Sequence, residues 1–144
     1  MNYFKICYLF LFLSLISFFG KASITETSVV QTTLDINNMS LVSYEEADKD
    51  LNALYQKIMV ELNDQYELKK ALKISERAWI KFKELDCLES ESSIWADGTG
   101  STSAVYQCFT DKTITRINTL VDRFSPFIGR MEAEPYRKKY GNKN

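Results

Sequence analysis

Two cysteines, Cys87 and Cys108, bracket the stretch "LDCLESESSIWADGTGSTSAVYQC" and lie between two runs with helical patterning. If they bond, the helices on either side are tied side by side, so the compartment matters. The N-terminus, "MNYFKICYLFLFLSLISFFGKAS", has Lys5 as a short positive start and an apolar run over residues 6–19. Gly20-Lys21-Ala22 then places small residues where a signal peptidase reads. That is the layout of a secretory signal peptide, and the run is shorter than the ~20 residues of a bilayer-spanning helix. Cleavage is expected after Ala22. Cys7 lies at the start of the apolar run, so it is not placed as a lipid-attachment cysteine. Only Cys87 and Cys108 then remain, in a compartment that permits oxidation. An even pair in a small exported domain reads as a disulfide. Its closed loop of about 20 residues contributes about 3 kcal/mol in the chain-entropy model.

Helical periods occupy most of the mature chain. Residues 23–42 are polar with scattered β-branched side chains and read as a flexible lead-in. Ser43 and Glu46 make a capping box, and Tyr44, Ala47, Leu51, Leu54, Tyr55, Ile58 and Leu62 recur behind it at spacings of three and four. The first helix is expected over about 44–63. A second starts near Tyr66 and extends to about Glu91, with Leu68, Leu72, Ser75, Trp79, Phe82 and Asp86 on one stripe. A third, about 102–124, has its apolar side on Val105, Cys108 or Phe109, Thr113, Arg116 or Ile117, Leu120 and Phe124, and ends at Ser125-Pro126. The tail 129–144 carries five basic and two acidic residues and reads as frayed. The expected fold is all-α: a helical hairpin plus a third helix over 43–128, with one disulfide.

Chemistry is narrowed by composition. The chain has no histidine, which removes Ser-His and Cys-His nucleophiles and histidine metal sites. "DGTGST" lacks the lysine and the preceding strand of a phosphate loop. Without Lys5 and Lys21 the chain has 16 basic and 19 acidic side chains, and a net charge near −3 argues against a dedicated nucleic-acid protein. No metal or cofactor is expected. Glu84, Asp86, Glu89 and Glu91 cluster at the end of the second helix, and Asp97 lies a little beyond. Their plain reading is a solvated acidic helix end, and the sharper alternatives are a glycosidase pair or a calcium site. Trp95, amid serine and glycine, has two readings: an exposed anchor for a partner, or a lid folded back on the core beside Trp79.

Three blocks together resemble the LprI-like lysozyme inhibitor family: "ADKDLNALYQKIM" (residues 47–59), "RAWIKFKELDC" (77–87), and "YQC" (106–108) with Thr113, Arg116 and Leu120 behind it. On that pattern fall Asp48, Leu51, Asn52, Tyr55, Trp79, Phe82, Cys87, Cys108, Thr113 and Arg116. Leu51, Tyr55, Trp79 and Phe82 read as core, while Asn52 and Arg116 are placed to tie helices by hydrogen bonds. Glu76 stands where the family usually has glutamine, and Lys83-Glu84 where it has arginine-aspartate. The resemblance implies a periplasmic or secreted protein that binds a protein partner, a lysozyme, by steric occlusion and not by catalysis. The expected contact surface is Trp95 with Glu84, Asp86, Glu89, Glu91 and Asp97. The alternative is an envelope interaction or immunity protein with another partner. After cleavage no segment is expected to insert stably in a membrane.

Overall fold

The first helix begins at Thr32. Its hydroxyl accepts the Asp35 backbone N–H at 3.2 Å, and the Asp35 carboxylate accepts the Thr32 N–H at 3.0 Å, closing a capping box. In this computed structural model, which describes residues 32–94, 98 and 100–141, helix α1 spans Thr33–Glu61. The start expected at Ser43 is therefore corrected: Ser43 lies inside α1 and donates to the Met39 carbonyl at 2.9 Å. The inward stripe continues upstream from Tyr44 to Ser40, which is buried although polar, so hydropathy hides the extension. Residues 32–42 are cap and helix rather than flexible lead-in. The expected signal peptide, residues 1–22, and positions 23–31 lie outside the described residues.

A turn over 62–64 reverses the chain, with the Leu62 N–H donating to the Ile58 carbonyl. Helix α2 (Tyr66–Leu85) runs back and passes into a π-helical segment, Asp86–Glu91, and one helical turn, Ser92–Ile94. Helix α3 (Ser101–Ile128) lies along α1, and α4 (Arg130–Tyr140) returns. The all-α class holds, with Cys87 bonded to Cys108 at a Cα separation of 5.7 Å. The three expected helices gain a fourth.

Two expectations at the C-terminal end are corrected. Pro126 does not stop α3 near Phe124, because in the last turn it deletes only the bond to the carbonyl of exposed Asp122. The tail up to Tyr140 is not frayed. Gly129, at φ 80 and ψ 155, takes a backbone conformation essentially reserved for glycine and redirects the chain into α4. Ala133 of α4 then joins a core of Leu51, Leu54, Ile58, Leu62, Ile117, Leu120, Val121 and Phe124. Each fully buried leucine or isoleucine there contributes about 2 kcal/mol.

Polar contacts dock the far end of α4. Lys139 donates to Glu46 at 2.6 Å and to Asp50 at 2.7 Å; the Tyr140 hydroxyl donates to Asp50 at 2.8 Å; Asn118 donates to the Tyr140 carbonyl at 2.9 Å. Burial of Asp50 opposes its ionisation, but the Lys139 ammonium and Tyr140 hydroxyl outweigh it and hold the carboxyl below the usual range. Asp50 and Glu46 hold the Lys139 ammonium above the usual lysine range. A carboxyl whose pKa is lowered by folding stabilises the fold above its unfolded value and stops doing so as pH falls through the folded one. A lysine raised by folding does the reverse at high pH. The expected result is that amide protection of α4, corrected for intrinsic exchange, is level from about pH 5 to 9 and declines below about pH 4. Asp50→Asn should lower the plateau and shrink the acid-side decline, as read by hydrogen exchange at each pH.

Candidate functional site

Helix α2 is joined to the body in an unusual way. Its inward positions are Leu72, Glu76, Trp79 and Lys83, and of these Leu72, Glu76 and Lys83 are buried. A buried charge is tolerated when it is paired and hydrogen-bonded, and both charges here are. Arg116 of α3 donates from Nε and Nη2 to Glu76 Oε2 at 3.0 and 2.7 Å, and from Nη2 to Ser75 Oγ at 3.0 Å. The Lys83 ammonium donates to the Tyr44 hydroxyl at 3.1 Å and lies 3.5 Å from Asp48 Oδ1. It sits 4.9, 5.0 and 5.6 Å from the ring centres of Tyr44, Trp79 and Phe109, an aromatic box drawn from three helices. Asn52 fixes Asp48 by donating to its carbonyl and to Oδ2, both at 2.9 Å.

Asp48, Trp79 and Arg116 are thus brought together as one ionic and aromatic seam, whereas Asn52, expected to tie two helices, is exposed and bonds within α1. Leu51 is core, Tyr55 is half-buried, and burial raises the Tyr55 hydroxyl pKa, with Glu76 adding to it. Thr113 is fully buried, with no hydrogen-bond partner for its hydroxyl oxygen among the described residues. Beside the seam a cleft of about 190 Å³ opens between α1 and α2, where Asn52, Tyr55, Arg77 and Trp79 line it. Of the three positions that depart from the family pattern, Glu76 and Lys83 are buried in the seam and Glu84 is exposed.

Phe82 is the correction in this group. Expected in the core, it is 54% exposed, because one residue on, Lys83 takes the inward position. The Lys112 ammonium lies 5.1 Å from the Phe82 ring centre and 2.6 Å from Asp86, so α3 braces both residues. Leu85, Leu88 and Ile94 are exposed as well. Phe82, Leu85 and Leu88 come one per turn where the helix widens into its π segment, and Cys87 between them is fully buried at the disulfide. Glu84 and Glu89 are exposed around them, and Glu91 is half-buried. Of the expected contact residues, Glu84, Asp86, Glu89 and Glu91 share this end of α2, with Asp86 tied to Lys112. Trp95 and Asp97 lie outside the described residues. Reading the sequence for polarity missed Phe82, Leu85 and Leu88 as surface groups; the signal was that the helix carries more apolar positions than one inward stripe can hold.

Among the described residues, no group of three or more carboxylate or cysteine side chains is arranged to hold a metal ion. A family model described as "Lysozyme inhibitor LprI" matches residues 25–120, two thirds of the chain. No curated protein and no solved structure matches it.

Arg116→Met should leave Glu76 buried without its counter-charge and lower stability by about 3–5 kcal/mol, whereas Arg116→Met with Glu76→Leu should recover most of that loss. Urea unfolding of the two variants decides it; equal losses would mean that the pair is not coupled.

Proposed function

This chain belongs to the LprI lysozyme inhibitor family, and from that premise we propose that it is an exported protein that inhibits a lysozyme-type enzyme by binding it and blocking its substrate cleft. The observation that carries the reading is the end of α2: Phe82, Leu85, Leu88 and Ile94 exposed beside Glu84, Glu89 and Glu91. Apolar anchors with a charged surround are the anatomy of a protein-binding surface. Negative charge there speeds encounter with a cationic enzyme and favours it over neutral proteins. Because Cys87 and Lys112 fix this end to α3, little ordering remains to oppose association. Trp95 and Asp97, which lie outside the described residues, are counted among the contact residues in this proposal. No catalytic step is assigned to the protein; Glu76, the buried carboxylate, is occupied by Arg116.

The test is titration of the oxidised protein into lysis assays of several lysozymes on bacterial cell walls. Dose-dependent loss of lysis is expected, with Leu88→Ala or Trp95→Ala weakening inhibition about 10-fold or more, the effect of losing one hot spot. Glu89→Lys with Glu91→Lys should act mainly on the association rate and its salt dependence. If no lysozyme is inhibited, the reading fails. If inhibition survives all these changes, the surface is wrongly assigned.

A further inference from the structure

Two of the four described basic residues of the C-terminal segment are paired, Arg137 with Asp122 and Lys139 with Glu46 and Asp50. Helix α2 differs. Lys69, Lys70, Lys73, Arg77 and Lys81 recur along it, and none has an ion-pair partner among the described residues. At 3.6 residues per turn these five fall on one side of the helix, adjoining the Leu72, Glu76, Trp79 and Lys83 face, and Lys73 and Arg77 also border the cleft toward α1. Four of them are exposed and Lys69 is half-exposed. Glu76 is the acidic residue closest to the middle of this stretch in sequence, and it is turned inward to Arg116. Glu67 and Glu84 stand only at the two ends.

Apolar side chains are interleaved with this charge: Tyr66 is 70% exposed, Ile74 59% and Ile80 42%. At the N-terminal end of α2, Tyr66, Lys69, Lys70 and Lys73 join Met59 and Asn63 of the preceding hairpin around an open concavity of about 400 Å³. Three ammonium groups and an amide around one hollow suit a phosphate group, and the tyrosine and methionine suit the adjoining acyl boundary. A soluble polyanion would use the charges and leave Ile74 and Ile80 in water. A lipid surface uses both.

We propose that α2 is a peripheral membrane-binding helix that lies on bilayers containing anionic phospholipid, with Lys69, Lys70, Lys73, Arg77 and Lys81 on the headgroups and Ile74 and Ile80 at the interface. The contact is superficial, for no helix among the described residues is long and apolar enough to cross a membrane. It uses the basic two thirds of α2 and leaves the acidic end of the same helix clear, and it does not depend on the inhibitor reading.

The experiment is co-sedimentation of the chain from Ser23 onward, which contains the whole compact unit 31–144, with phosphatidylglycerol–phosphatidylcholine vesicles and with phosphatidylcholine vesicles. Partitioning onto the anionic vesicles should be higher by about 10-fold or more and fall steeply with added salt. Lys70→Glu with Lys73→Glu and Arg77→Glu should abolish that excess while circular dichroism stays unchanged, since all three side chains are exposed. Ile74→Ser should reduce binding about 3-fold or more, at the scale of a lost interfacial side chain. Equal binding to neutral vesicles, no binding to either, or an unchanged triple variant overturns the proposal. So does binding to soluble polyphosphate without binding to vesicles, which would make the stretch a polyanion site.

Discussion

The pairing of Glu76 with Arg116 is the interaction on which the arrangement of the second helix depends. The other helices share an apolar core, from Leu54 and Ile58 of α1 through Ile117 and Phe124 of α3 to Ala133 of α4. Helix α2 contributes only Leu72 to its buried set, with Leu68 and Trp79 at the margin. Its remaining attachments are polar or covalent: the two hydrogen bonds from Arg116 to Glu76 Oε2, Lys83 in its aromatic box, and the Cys87–Cys108 bond. Such contacts are specific in geometry, because an uncompensated charge in that position is strongly unfavourable. They hold α2 in one orientation while demanding few of its apolar side chains, and those are left on the surface.

That division of labour explains how one helix presents three chemically different surfaces. The inner face is ionic and aromatic, the outer face basic with Ile74 and Ile80, and the far end apolar and acidic. The π segment lies at the junction, where Cys87 turns inward and Leu85 and Leu88 stay out. Wider helical turns of this kind are frequent at functional sites. In the proposed function the same disulfide that ties α2 to α3 pre-arranges the surface offered to an enzyme.

Much of this was legible in the residues, and the failures share a cause. The α1 and α3 stripes, the turn before Tyr66 and the cysteine pair follow from spacing and compartment alone. Reading α2 required knowing that a lysine goes in and a phenylalanine stays out. Hydropathy ranks them the other way, and Lys83 is accommodated only because Tyr44, Trp79 and Phe109 meet around it from three separate stretches of chain. The upstream ten residues of α1 were hidden by Ser40, a polar residue on a buried stripe. The fourth helix was hidden by Pro126, which read as a stop signal although it costs one exposed hydrogen bond, and by the charge of the tail, which read as frayed; Gly129 is the corner between the two helices.

The central claim is that the disulfide-anchored end of α2 is the surface that meets a lysozyme-type enzyme. Chemical-shift mapping of the isotope-labelled oxidised protein on addition of an unlabelled cationic lysozyme tests it most directly. The perturbed amides are expected to concentrate over residues 82–94 and to return to their free positions when that lysozyme is withdrawn. Perturbations confined to α4 and the outer side of α1, with α2 unmoved, would contradict it.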